Sequence, residues 1–363
     1  MSDTEPQQPR ARRTPARRTP ARSPRRSRLG AVVTWLVAAA AVAVVVAVSL
    51  HAHLPFGLSS GHAAAPVARG PTGPTGAVKT AGTPDVSVSS IGTLSAPAAR
   101  VAAVPYGTGG ALFFGGYDAT DAPTNTVQNF QAATVTSGAA APIPLASAVA
   151  AVLGPNVYVL GGVGSSAIYE LTGTSFAAVG SLPSVTADAA VATVGNTAYV
   201  IGGYTGTAEL ATIVAYTPGS PAQTVASLPV TLRYGAAAAL DGDVYIIGGA
   251  TAGVASDTIY RFDPQNNSVV AFAALPRARE RQSAAALGNR IYANGGANAT
   301  GTRSRAIYAI NPTSGAVRLV GLLPQALADT AAVSAGDQII VAGGTNEAMA
   351  AVATIYAVAP GSP

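Results

Sequence analysis

The sequence contains no cysteine, and its only histidines are His51, His53 and His62. The lack of cysteine excludes disulfides, thiolate metal sites and cysteine nucleophiles. Because every histidine precedes residue 63, the rest of the chain has no imidazole for general-base chemistry or metal binding. The sequence therefore predicts no metal, no cofactor and no catalytic residue in this larger part.

Charge is also scarce, since only 10% of the residues are charged. The net charge of +5 is misleading, because nine arginines lie in the first 28 residues. From residue 51 onward there are 12 basic and 14 acidic residues, which gives a nucleic-acid role no support. The 40 glycines and 26 prolines leave little room for long helices and favour many short strands.

The first segment, residues 1–28, is polar and rich in arginine. It has too little apolar surface to form a core, so we expect a disordered, basic cytoplasmic tail. Basic residues near a membrane surface gain about 1 kcal/mol each from anionic headgroups, so the tail could contact anionic lipid. The alternative is a tail that binds nucleic acid or another partner, with control at Thr14, Thr19 or Ser23, each followed by proline.

Residues 29–50 form an apolar run of 22 residues. A helix of that length spans roughly 33 Å, enough to cross the hydrocarbon core. The run is longer than the apolar part of a cleaved signal peptide, which favours a signal anchor. Arginines before the run predict a cytoplasmic N-terminus and an extracytoplasmic C-terminal part. Residues 51–84, rich in Ala, Gly and Pro, are predicted to be a linker between this cell-membrane anchor and residues 85–363.

A pair of glycines after a short apolar run recurs six times in residues 85–363. The steps between the first glycines are 46, 41, 46, 47 and 48 residues. A period in the forties is typical of four-stranded propeller blades, so the sequence predicts six blades and a structural role for these glycines. The pairs are Gly115 and Gly116, Gly161 and Gly162, Gly202 and Gly203, Gly248 and Gly249, Gly295 and Gly296, and Gly343 and Gly344.

Each repeat begins with a strand of small apolar residues, such as 189–194, 235–240 and 283–287. Turn residues follow at a fixed offset, which favours innermost strands near an axis over alanine-rich helices. The last repeat stops after its third strand, whereas residues 86–94 have the character of a fourth strand. We therefore expect an all-β, six-bladed β-propeller in which this N-terminal strand closes the last blade.

The repeat pattern resembles kelch repeats, a family of six- and seven-bladed propellers. The resemblance rests on two aliphatic residues before Gly-Gly, a downstream tyrosine as in Tyr260, and a Leu-Pro exit as in Leu275-Pro276. Kelch units usually carry a tryptophan in the fourth strand, whereas Trp35 is the only tryptophan here. The sequence is thus similar to a diverged bacterial kelch protein, and partners of animal kelch proteins should not be transferred to it.

The kelch resemblance also suggests two enzyme classes. A copper site of the galactose-oxidase type needs cysteine and histidine, so that chemistry is excluded. A mutarotase-like, sugar-modifying enzyme also uses a six-bladed kelch-like ring, and it remains an alternative because carboxylates and arginines can move protons at a sugar.

Six positions, each 14 or 15 residues before a glycine pair, are candidates for a ligand site at the mouth of the central channel. As a polar funnel they would hold an anionic or hydroxylated ligand. As a structural set they would form ion pairs between neighbouring blades: Asp188 with Arg233, Arg281 with Asp329, and Asp329 with Arg100. The six are Arg100, Ser147, Asp188, Arg233, Arg281 and Asp329.

These observations predict a binding or scaffolding module with a protein or glycan partner. The loops after the glycine pairs, such as 116–127 and 296–304, vary most in length and are the expected recognition surface.

Overall fold

The computed structural model of the protein describes residues 85–361, and the fold of this part is all-β and propeller-like, with no helix. No helix in this part is long and apolar enough to cross a membrane. The predicted tail (1–28), membrane helix (29–50) and linker (51–84) lie outside the described residues. Their predictions therefore remain predictions.

Twenty-four strands follow one another along residues 85–361. In chain order they are β1 (Val86–Thr93), β2 (Ala102–Tyr106), β3 (Gly110–Phe114), β4 (Val127–Gln131), β5 (Thr134–Ser137), β6 (Val149–Leu153), β7 (Asn156–Leu160), β8 (Ala167–Thr172), β9 (Ser175–Ser181), β10 (Ala190–Val194), β11 (Thr197–Ile201), β12 (Thr212–Tyr216), β13 (Gln223–Ser227), β14 (Ala236–Leu240), β15 (Asp243–Ile247), β16 (Ala250–Thr251), β17 (Val254–Asp263), β18 (Ser268–Leu287), β19 (Arg290–Ala297), β20 (Ser304–Ile310), β21 (Val317–Leu327), β22 (Ala331–Ala335), β23 (Gln338–Ala342) and β24 (Thr354–Pro360).

The strands form antiparallel sheets that follow the repeats. Strands β2–β5, β6–β9 and β10–β13 each make a four-stranded sheet in chain order. A larger sheet has the order β14-β15-β17-β18-β19-β20-β21, and β16 pairs with β17. It is continuous because β18 is 20 residues long and pairs with β17 through its first part and with β19 through its second. The sequence pattern predicted two separate strands there.

The last sheet joins the two ends of the described chain. Its order is β1-β24-β23-β22, and β1 pairs antiparallel with β24. Val86 lies opposite Pro360 and Thr93 opposite Thr354, with a bulge between Ser90 and Gly92. Residues 86–94 and the end of the repeat region are therefore neighbours in one sheet.

The alanine-rich segments are strands, as predicted. Strand β14 consists of four alanines and a leucine and pairs along its whole length with β15. The two residues between these strands, Asp241 and Gly242, both have positive φ, which is the geometry of a tight hairpin. Small side chains suit these innermost strands because several of them converge around one cavity.

The glycine pairs end the second strand of each repeat, and all twelve glycines have positive φ. At Gly202 φ is +62°, and a Cβ atom would lie 2.3 Å from the carbonyl oxygen of Leu232 in the next repeat. That distance is too short for any side chain, so glycine is required by close packing as well as by backbone conformation.

The core lies between successive repeats. Six hydrophobic clusters fill the contacts between neighbouring repeats in residues 85–361, and each cluster combines strands from two repeats. One cluster packs Phe113 and Phe130 of the first repeat against Ile340 and Ile355 of the last. Burial of such large side chains is worth about 1.5–3 kcal/mol each, so these contacts hold the sheets in place and position the starts of the innermost strands.

Candidate functional site

The innermost strands all begin at a ring of six residues, which we call the collar. All six have φ between 53° and 59°, although none is glycine. Left-handed backbone is uncommon for such residues and concentrates at functional or tightly determined positions. The collar consists of Arg100, Ser147, Asp188, Tyr234, Arg281 and Asp329.

Backbone hydrogen bonds connect the collar residues from one repeat to the next. The N–H of Arg100 donates to the carbonyl of Asp329 at 2.9 Å, which joins the first repeat to the last. Four further bonds of 2.8–3.1 Å continue around the ring. They run from Asp188 to Ser147, from Tyr234 to Asp188, from Arg281 to Tyr234 and from Asp329 to Arg281.

One candidate position needs correction. The sequence offset placed Arg233 in the ring, but the structure places Tyr234 there, and Arg233 is the preceding residue. Arg233 forms a bridge with Ala250, in the same way that Ala187, which precedes Asp188, forms a bridge with Tyr204. A strict count of 14 residues from Gly248 would have found Tyr234 from the sequence.

Asp329 is the most tightly held acid of the collar. Its Oδ1 atom lies 3.0 Å from Nη1 of Arg281 and 3.1 Å from Nε of Arg100, and its side chain is only 5% exposed. Burial alone would raise the pKa of Asp329, but the attraction of Arg281 and Arg100 outweighs burial and lowers that pKa below its ordinary value. The carboxylate is therefore charged and fully engaged.

Asp188 forms the second ionic centre. Its Oδ2 atom accepts hydrogen bonds from Nη2 of Arg233 at 2.7 Å and from Nε of Arg233 at 2.9 Å. Its Oδ1 atom lies 4.0 Å from Arg100, and Glu280 pairs with Arg281 at 3.1 Å. The three pairs expected for the structural interpretation, Asp188 with Arg233, Arg281 with Asp329 and Asp329 with Arg100, are thus all present.

Tyrosines stack on the collar arginines, and the sequence reasoning missed them. The guanidinium carbon of Arg281 lies 3.5 Å from the ring centroid of Tyr234, and that of Arg233 lies 4.3 Å from it. Arg233 also lies 4.0 Å from the centroid of Tyr204, and Arg100 lies 5.5 Å from that of Tyr117. Tyr117 and Tyr204 directly follow glycine pairs, so their position relative to the repeat was a usable signal. Such stacking fixes both partners in place.

The collar surrounds the entrance of a cavity of about 180 Å³. Below the collar the first residues of the innermost strands line it, and most are alanine, such as Ala103, Ala237 and Ala332. Ordinary ligand pockets enclose about 300–1,000 Å³, so this cavity is small for a sugar-sized substrate.

The loops that follow the glycine pairs lie on the same face as the collar, because the residue before a collar position pairs with the residue after a glycine pair. We call this the mouth face. A polar side chain near the start of several loops accepts backbone N–H groups of its own loop. Asp118 accepts from residues 120 and 122, Asn298 from 300 and 302, and Asn346 from 348 and 350. These loops are thereby given defined shapes before any partner binds.

Comparison with known proteins agrees with this architecture. The described residues form a β-propeller, in which sheets are arranged around a central cavity. The kelch motif matches residues 232–272, which include Gly248 and Gly249. The chain belongs to the kelch-repeat β-propeller family. A solved structure, that of YjhT, matches with a TM-score of 0.64 and 15% identity over 72% of this chain and 95% of that one, a likeness that concerns the fold. No curated protein matches the sequence.

Proposed function

We propose that this protein is a membrane-anchored, extracytoplasmic kelch propeller that binds a protein or glycan partner at its mouth face. The observation that supports it most is the set of collar tyrosines and arginines. Tyrosine and arginine are the residue types enriched where binding energy concentrates in interfaces. Here they are held in fixed positions before binding, which lowers the entropy lost when a partner docks.

The proposal includes a closed ring of six blades. Six glycine pairs, six collar positions and six interblade clusters support that number. The continuous sheet β14–β21 then holds two blades that share β18, and the pairing of β1 with β24 supplies the outer strand of the sixth blade. A closed ring leaves no free inner edge, which suits a rigid binding platform.

The membrane anchor rests on the apolar run 29–50 and the arginines before it. The chain enters the described domain at Asp85, next to Val86, which pairs with Pro360 at the end of the sheet farthest from the collar. The mouth face is therefore not the face on which the domain's N-terminal strand begins, and it is free for a partner.

The sugar-modifying alternative would use a carboxylate that faces an arginine without being neutralised by it. Asp188, Asp329 and Glu280 are each paired with arginine, and the cavity is small. Both observations favour binding over catalysis. Acceleration of sugar anomer exchange by the purified protein, lost in Asp188→Asn, would reverse this preference.

The topology can be tested because the chain has no cysteine of its own. A single Thr207→Cys substitution on the mouth face should react with a membrane-impermeant maleimide in spheroplasts of a bacterial host. Protection until the membrane is permeabilised would refute the extracytoplasmic placement.

The binding site can be tested with the full chain in lipid nanodiscs, probed on a glycan array and by chemical cross-linking to envelope proteins. Tyr234→Ala should abolish the binding found, because it removes the ring on which Arg233 and Arg281 stack. Tyr106→Ala is the matched control, since Tyr106 is 44% exposed and lies at the opposite end of an innermost strand. Equal binding by both variants would contradict the proposed site.

A further inference from the structure

The mouth face outside the collar carries opposite charges on different blades. One sector, the basic sector, holds Arg277, Arg279, Arg303 and Arg305, with Asp257 as its only acid within the described chain. The other, the acidic sector, holds Asp118, Asp121 and Glu347 and has no basic residue among those described. The formal charges of the two sectors are therefore +3 and −3.

These charges are not consumed within the domain. Among residues 85–361, neither the four arginines of the basic sector nor the three acids of the acidic sector lies within salt-bridge distance of an opposite charge. Burial lowers the pKa of Arg303, and the attraction of Asp329 compensates only in part because Arg281 and Arg100 oppose it. The collar with its neighbours Arg233 and Glu280 lies between the sectors and is neutral in formal charge, with three arginines against three acids.

Each sector also exposes an apolar tip. Val254 is 65% exposed in the loop beside Arg279, and Met349 is 72% exposed in the loop of Glu347. Exposed apolar side chains at loop tips, set among unpaired charges, mark a surface that excludes water when a partner covers it.

We propose that the mouth face binds a second copy of this chain. A two-fold axis in the plane of the face places the basic sector of one copy on the acidic sector of the other, twice over. In such an interface the same patch serves both subunits, so a face with two equal and opposite sectors is complementary to itself. The proposal rests on the mouth face being a binding face and names its partner.

The test uses the full chain in membranes, with Thr302→Cys in the basic sector and Thr120→Cys in the acidic sector, each on a separately tagged copy. Oxidation should give a disulfide between a copy that carries Thr302→Cys and a copy that carries Thr120→Cys. Pairs of copies that carry the cysteine in the same sector should give a yield lower by fivefold or more. Higher salt should reduce the cross-link, since charges in water are screened beyond about 8 Å at physiological ionic strength.

Charge reversal separates this proposal from its alternatives. Arg277→Glu and Glu347→Arg are both exposed changes on residues without ion pairs in the described part of the chain, and each alone should reduce the cross-link by fivefold or more. The double variant should restore it, because the exchanged charges again face opposite charges. Arg290→Glu at a hairpin away from the mouth face is the control and should change nothing.

Three results would overturn the inference: no cross-link between the sectors, equal yields in wild type and both single variants, or cross-links to another protein only. A mouth face that fails to pair with itself but still loses a partner in Tyr234→Ala leaves the proposed function standing. Unchanged partner binding in Tyr234→Ala with intact cross-links would refute the collar site alone.

Discussion

The ion pairs of Asp329 allow a quantitative test of what holds the mouth together. The substitution Asp329→Asn removes the negative charge and keeps the shape of the side chain. It also keeps the backbone, because φ at this position is 58° and asparagine tolerates left-handed backbone about as well as aspartate. Any effect therefore reports the charge rather than strain.

The expected loss follows from the contacts. Two unit charges about 3 Å apart attract by about 5 kcal/mol at an effective dielectric constant of about 20. Burial of the charges offsets much of that attraction, and removal of one partner from a buried pair costs about 3–5 kcal/mol because it leaves the other charge uncompensated. The Arg281 and Arg100 side chains are 18% and 30% exposed, so the lower end, about 3 kcal/mol, is expected.

The assay is chemical and thermal unfolding of the full chain followed by circular dichroism. A loss of about 3 kcal/mol in a domain of this size corresponds to a fall in Tm of roughly 6 °C. Asp257→Asn is the control, since Asp257 is exposed and has no ion pair in the described part of the chain. A stability of Asp329→Asn within about 0.5 kcal/mol of wild type would refute the reasoning.

The pH dependence gives an independent check on the same residue. The pKa of Asp329 is lower in the folded protein than its ordinary value of 3.8. Its contribution is therefore complete well above pH 3.8 and is lost as the pH falls from that value through the folded-state pKa. The stability difference between wild type and Asp329→Asn should be constant near neutrality and shrink in acid. A difference that grows in acid would contradict the assignment.

Three further predictions concern single residues. Gly202→Ala should lose roughly 2 kcal/mol or more of folding free energy, whereas Gly195→Ala, with φ of 59° and no atom within 4 Å of its Cβ, should lose only the backbone part, about 1–2 kcal/mol; equal losses would contradict the close packing at Gly202. Asn294→Leu should raise stability by about 1–2 kcal/mol in urea unfolding, because both side-chain polar atoms of Asn294 are buried without a partner within residues 85–361; a lower stability would show that the larger side chain does not fit. Burial and a hydrogen bond to Glu170 raise the pKa of Tyr158 to about 12, so Tyr158→Phe should remove one high-pH ionisation from the ultraviolet titration and leave the rest of the curve unchanged.

Much of the architecture was predictable because the repeat writes it into the sequence many times. The spacing of Gly202, Gly203 and their counterparts predicted blades of like length, and the turn residues predicted strands in the alanine-rich segments such as β14. The pairing of residues 86–94 with the end of the repeats was expected from the absence of a fourth strand in the last repeat. Local conformational needs, above all positive φ, restrict residue choice strongly enough to be seen in one sequence.

The candidate site was predictable only in part. Its ionic residues and their pairing were expected from opposite charges on successive repeats. Arg233 was placed one position wrong, because repeats differ by single residues in their connections and an offset averages over these differences. The tyrosines that stack on the arginines were missed, since Tyr117 and Tyr204 come from a different part of the repeat than Arg100 and Arg233.

The sequence by itself determined the kind of domain, the number of its repeats, the role of the glycines and the apolar segment before it, because each depends on neighbouring residues along the chain. Only the tertiary structure decided that Tyr234 rather than Arg233 completes the collar, that β18 joins two repeats in one sheet, and that charges of opposite sign occupy separate sectors of the mouth face. These features depend on which residues of distant repeats meet in space, and contacts of that kind are set by the packing of whole sheets.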